Sequence, residues 1–172
     1  MKRTIENEKD IKELRDVMKK MGKRLDGMGY TEGQISEEMF SENFEMILNE
    51  GGEEIGKVLT NKISYDKNNK KIAEFDIIGV NGTKVFLGEV KTKLTKKHID
   101  KFLEKTLPEF NNYAKTQKYR GLKIFGIMGA RTFESKEIKK YAINKGLYLM
   151  TQNNYGATKI LKESIKGAIS FG

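Results

Sequence analysis

Ile72-Ala73-Glu74-Phe75-Asp76-Ile77-Ile78-Gly79-Val80-Asn81-Gly82-Thr83-Lys84-Val85-Phe86-Leu87-Gly88-Glu89-Val90-Lys91 decides the fold of this chain. Apolar and β-branched residues flank an Asn-Gly pair, which predicts two strands, 72–80 and 83–91, joined by a two-residue type I′ turn. In that register Val80 faces Thr83, Asp76 lies opposite Leu87, and Glu74 lies opposite Glu89. Directly opposed residues share a sheet face, so Glu74, Asp76, Glu89 and Lys91 are expected on one side. Asp76 and Glu89 are then diagonal neighbours, roughly 7–8 Å apart at the backbone.

The same face carries Ile72, Ile78, Val80, Val85 and Leu87, and so reads as buried. Alternating charge on strands often means a solvated face with cross-strand ion pairs. Carboxylates set among apolar side chains instead repel one another and pay for desolvation, which a hard divalent cation such as Mg²⁺ relieves. Lys91 beside them offers a positive charge to a water or a phosphate. Both readings follow from the residues.

Working outward, residues 55–63 read as a preceding strand, with Asp66-Lys67-Asn68-Asn69 as its turn. Before it, Thr31 and Gln34 have capping-box spacing for a helix that runs to about Asn49 and stops at Gly51-Gly52. Phe40, Phe44, Ile47 and Leu48 form its apolar stripe; Glu37 lies on the edge of that stripe and Glu38 nearly opposite it. Residues 1–30 form a separate amphipathic arm, with Ile11, Leu14, Met18, Met21, Leu25 and Met28 at heptad spacing, suited to homodimerisation or to packing on the main domain, 31–172. Downstream, Thr95 caps a helical stretch, 96–118, that Pro108 must kink or divide. A strand (122–128), a helix (134–145), a short strand (147–150) and a short helix near 160–165 complete the chain. The expected class is α/β or α+β, a mixed sheet flanked by helices.

Composition narrows the chemistry. The 172 residues contain no cysteine and one histidine, so thiolate catalysis, disulfides and cysteine or multi-histidine metal centres are excluded. The net charge of +9 is uneven: +3 over residues 1–30, −8 over 31–54 and +14 over 55–172. A basic region of that size suits a polyanion. Lys93, Lys96, Lys97, His98, Lys101 and Lys105 cluster just after the third strand, where they are candidate phosphate-backbone contacts or a solvated helix face. With no apolar run near the roughly 20 residues needed to span a bilayer, a cytoplasmic protein without membrane contact is expected.

Asp76 followed after twelve residues by Glu89-Val90-Lys91 resembles the PD-(D/E)xK nuclease superfamily, whose restriction-endonuclease-like core is αβββαβ. Gly33-x-x-x-Glu37 with Phe40 and Phe44 resembles that superfamily's helical acidic motif. Phe75 stands where the superfamily's name has proline. Leu107-Pro108-Glu109-Phe110, Lys123-Ile124-Phe125-Gly126-Ile127-Met128 and Ala142-Ile143-Asn144-Lys145-Gly146-Leu147-Tyr148 are similar to a bacterial branch with a coiled-coil-like N-terminal helix. The resemblance implies Mg²⁺, replaceable by Mn²⁺, held by Asp76, Glu89, the Val90 carbonyl and Glu37. It also implies that Lys91 acts on the attacking water; Lys93, Lys96, Lys97 and Lys101, next to that site in the basic run, are the candidate DNA contacts. The expected activity is phosphodiester hydrolysis. A non-catalytic nucleic-acid-binding module on the same fold, or an interaction adaptor built on the heptad arm, are the alternatives.

Overall fold

The structure is a computed structural model and describes residues 32–117, 119–152 and 157–172, the side chains of 32–37 and 39 excepted. The heptad arm and Thr31 therefore lie outside the described residues. The whole sheet belongs to the compact unit Ser36–Gly172.

Helix α1, Glu32–Glu50, buries Phe40, Phe44, Ile47 and Leu48 completely and leaves Glu38 exposed, as the stripe predicts. It ends at Gly51-Gly52, where Gly52 takes φ +90° and the Glu53 N–H returns to the Leu48 carbonyl. Strand β1 follows at Lys57–Tyr65, two residues later at each end than expected. The Asn49 side-chain oxygen explains the late start: it accepts the Ile55 N–H at 2.9 Å and holds that residue in a buried loop.

Strands β2 (Lys71–Val80) and β3 (Lys84–Leu94) form the expected antiparallel hairpin, but with three residues, 81–83, between them in place of two. Val80 pairs with Val85, Ile78 with Leu87 and Ile77 with Gly88, a register two residues away from the predicted one. The Asn81 carboxamide is the cause. Its oxygen accepts the N–H groups of Thr83 (3.0 Å) and Lys84 (2.7 Å), so the turn is built by a side chain. Neither Asn81 nor Gly82 adopts the positive φ that a type I′ turn requires.

After β3, Thr95 caps α2 (Lys96–Lys101): its hydroxyl accepts the His98 N–H while His98 Nδ1 accepts the Thr95 N–H. His98 is thus a capping residue. A π-helical turn, Phe102–Thr106, leads into α3, Leu107–Thr116. Pro108 accounts for it. Proline donates no hydrogen bond and its ring crowds the carbonyl four residues back, and the wider turn, with the Leu107 N–H on the Phe102 carbonyl, accommodates both.

Strand β4 (Lys123–Phe133) runs parallel to β3, α4 (Lys136–Asn144) crosses back, and β5 (Tyr148–Gln152) lies parallel to β4. A three-residue strand that the sequence did not signal, β6 (Thr158–Ile160), pairs antiparallel with β5, and α5 (Lys162–Gly167) follows. Gln152 is buried at the end of β5, two residues beyond the expected end of that strand. The sheet order is β1-β2-β3-β4-β5-β6.

Two cores sandwich it. Ile99, Phe102, Leu107, Phe110, Ile138 and Ala142 of α2 to α4 cover one face. The α1 stripe covers the other, joined by Ile165 of α5. Glycines seat α1 against the sheet: a Cβ at Gly79 would come 2.8 Å from the Phe44 ring, and one at Gly129 would come 3.2 Å from Phe40. Among the described residues no helix is long and apolar enough to cross a membrane.

Candidate active site

The β2-β3 ladder ends at Ile77 and Gly88, and the next residues on the two strands are Asp76 and Glu89. From there, among the described residues, β2 pairs only with β1, as far as Lys71, and β3 only with β4, as far as Leu94. The sheet forks at the two carboxylates. The corrected register makes Asp76 and Glu89 successors of one pair, where the sequence placed them diagonally. Because the correction is an even number, the register change by itself moves no side chain to the other face.

A backbone irregularity sharpens the fork. Thr60 pairs with Ile77 and Lys62 with Phe75, but Asn61, which would face Asp76, is skipped and takes φ +49°. Asparagine tolerates this left-handed conformation better than most residues. The pleat reverses there. Ala73 and Phe75 pack on the α3 side with Ile78, Phe75 edge-on to Phe110 at 5.0 Å, whereas Ile77 lies on the Phe44 side. Strict alternation would have put Phe75 and Ile77 together.

This reversal corrects part of the sequence reading. Glu74 does not join the acids: it is 46% exposed and pairs with Lys71. Ile72, expected to be buried, is exposed for the same reason. Ile78, Val85 and Leu87 are buried as expected.

Asp76, Glu89 and Lys91 do converge. Asp76 Oδ2 accepts the Val90 N–H at 3.3 Å, replacing a backbone partner that the parted β2 no longer offers. Glu89 is buried; its Oε1 lies 2.8 Å from Lys91 Nζ, and its Oε2 accepts the Thr106 hydroxyl at 3.4 Å. Thr106 belongs to the π turn, which the sequence analysis did not connect with the site; the signal available was Pro108, two residues on. Burial pushes the Asp76 carboxyl above the usual aspartate range; Glu89 and Glu74 add to this, and Lys91 and the Val90 N–H oppose it.

Glu37 lies on α1 one turn before Phe40, and its side chain is outside the described residues. Among the described residues no three His, Cys, Asp or Glu side chains group around a common point. The side-chain oxygens that the described residues bring together here are the carboxylates of Asp76 and Glu89. Among the described residues, two acids meet one ammonium at the fork, a balance that suits a hard cation with oxygen ligands.

The lysine run lies just beyond. Lys93, Lys97 and Lys101 are exposed, whereas Lys96 pairs with Asp100 at 2.7 Å and lies over the Tyr141 ring. Tyr141 in turn donates to Asp100, and Tyr119 packs with Phe110 and Tyr113, so neither ring is a free stacking platform.

An αβββαβ order, a β1-β2-β3 antiparallel meander, a parallel fourth strand reached through helices, and acids at the β2-β3 fork define a restriction-endonuclease-like fold. Among solved structures, the chain is similar to a repair endonuclease from Pyrococcus abyssi, with TM-score 0.44 and 16% identity over 72% of this chain and 48% of that one. It is also similar to the small subunit, R.BspD6I2, of the heterodimeric restriction endonuclease R.BspD6I, with TM-score 0.36 and 14% identity over 66% of this chain and 61% of that one. The chain thus spans about half the length of the first and three fifths of the second. No family model matches the sequence, and no curated protein matches it.

Proposed function

We propose that this domain is a metal-dependent nuclease that hydrolyses phosphodiester bonds in DNA. The observation that carries the reading is the fork, which brings the buried Glu89 together with the half-buried Asp76 and Lys91, two acids to one ammonium among the described residues. Asp76, Glu89, the Val90 carbonyl and Glu37 would hold Mg²⁺ or Mn²⁺. Such an ion neutralises phosphate charge and acidifies water.

The chain's own groups do the remaining work. Lys91 presents an ammonium to the oxygen that gains negative charge as water attacks phosphorus. Glu89, gripped by Lys91 and Thr106, is fixed before substrate arrives, and the Val90 N–H fixes Asp76. The exposed Lys93, Lys97 and Lys101 would hold phosphates on either side of the scissile one; Lys96 would do so only by leaving Asp100.

The test is Mg²⁺-dependent cleavage of supercoiled plasmid and of single-stranded DNA by the wild type, Asp76→Ala and Lys91→Ala. The wild type is expected to cut and both variants to fail. Cleavage that survives either substitution contradicts the assignment. Metal-independent DNA binding by a wild type that never cuts would favour the non-catalytic module.

A further inference from the structure

Past the fork, β1 and β2 continue as a two-stranded ribbon, with no third strand among the described residues: Lys62 pairs with Phe75, Ile63 with Glu74, Ser64 with Ala73, and Tyr65 with Lys71. Four to five residues per strand at 3.4 Å each make an arm of about 15 Å. One side is anchored, since Ala73 and Phe75 pack toward α3. The other side is bare: Ile63 is 38%, Ile72 54% and Tyr65 56% exposed, which is three of the five exposed large apolar residues among those described.

The arm is also cationic. Lys62, Lys67, Lys70 and Lys71 are exposed, against two acids with other duties. Asp66 Oδ1 accepts the N–H groups of Asn68 (2.8 Å) and Lys70 (2.9 Å) to build the tip, and Glu74 pairs with Lys71. The tip is therefore ordered by its own hydrogen bonds. Lysine on an edge strand also discourages sheet-to-sheet pairing, but that role gives no reason to expose Tyr65 and Ile72 beside it.

Lysines bordering an apolar strip on a narrow, ordered ribbon match a groove walled by phosphates and floored by base edges. The major groove, about 12 Å wide, admits such a ribbon. We propose that the β1-β2 ribbon enters a groove of duplex DNA, with Lys67 and Lys70 on phosphates and Tyr65 and Ile72 against the groove floor. This deepens the nuclease reading and rests on it: the ribbon is rooted at Asp76, so a duplex that it grips is led to the carboxylates.

Binding can be separated from cleavage. Anisotropy of a labelled duplex of about 20 base pairs and of the matching single strand, with the full chain in chelator across a salt series, reads binding alone. Lys67→Ala/Lys70→Ala is expected to weaken duplex binding about tenfold and to lower the log–log salt slope by about 1 to 2. Tyr65→Ser/Ile72→Ser, at exposed positions, is expected to weaken the duplex about tenfold with little effect on the slope or on the single strand. Both variants should melt within a few degrees of the wild type. Duplex affinity within twofold of wild type for both would overturn the proposal. So would a change of oligomeric state in Tyr65→Ser/Ile72→Ser by light scattering, which would give the strip to a second copy of the chain. Asp76→Asn should still bind the duplex; if it also still cleaves, the nuclease reading fails while the ribbon result stands.

Discussion

Two of the carboxylate-lysine clusters among the described residues, those with the most buried carboxylates, are built to opposite ends. Glu53, just after α1, receives Lys84 on both oxygens at 2.8 Å and the Tyr148 hydroxyl at 3.0 Å. One anion meets one cation and one donor. Burial and the adjacent Glu53 push the Tyr148 hydroxyl far above its ordinary pKa, so it stays a donor. At the fork, Glu89 has a similar exposure, 11% against 12% for Glu53, and also has one lysine and one hydroxyl, but Asp76 brings a second negative charge. The first cluster is closed and ties the end of α1 to β3 and β5. The second carries one negative charge more than its described partners balance, and on the proposed reading an incoming cation would supply the difference.

Substitutions at the two clusters should therefore fail in different ways. The largest effect is expected at the fork: Asp76→Ala or Lys91→Ala should lower plasmid cleavage by about a hundredfold or more while the chain stays folded by circular dichroism. Next comes Glu53→Gln, which leaves Lys84 without its charge partner. Urea unfolding should show a loss of about 2 kcal/mol, and cleavage measured well below the melting temperature should be unchanged.

A smaller effect follows from pH. The folded pKa of Asp76 lies above its unfolded value, near 3.8, so the fold binds more protons than the unfolded chain between the two values. Metal-free stability should fall as pH rises from about 3.8 through that window and then level off. In Asp76→Asn that decline should vanish and the neutral-pH melting temperature should rise by a few degrees. A melting profile whose decline over this window persists in Asp76→Asn would remove Asp76 as its source. The smallest effect is expected from Thr106→Val, which removes one long hydrogen bond to Glu89: a few-fold loss of cleavage, restored by Thr106→Ser.

Much of this was legible in the sequence, for identifiable reasons. The stripe of α1, the cap at Thr95, the break at Pro108 and the three-strand meander all rest on local periodicity or local hydrogen bonding. So do Asp76, Glu89 and Lys91, because the register error was even and preserved their faces. The error itself arose because Asn-Gly can turn a chain by left-handed backbone or by the asparagine side chain, and Asn81 uses the second route. The misplacement of Glu74 and Ile72 has a longer-range cause. It needs the left-handed Asn61, fifteen residues before Asp76, and no alternation rule within β2 reveals it. Thr106 is not legible in the sequence because a π turn, not sequence spacing, aims it at Glu89.

Calorimetric titration of Mn²⁺ into the full chain and two variants, Asp76→Asn and Glu53→Gln, tests the contrast between open and closed clusters most directly. The wild type and Glu53→Gln are predicted to bind the ion alike, and Asp76→Asn to lose that binding. No binding by the wild type, or equal binding by Asp76→Asn, would contradict the assignment of the fork as a metal-dependent site.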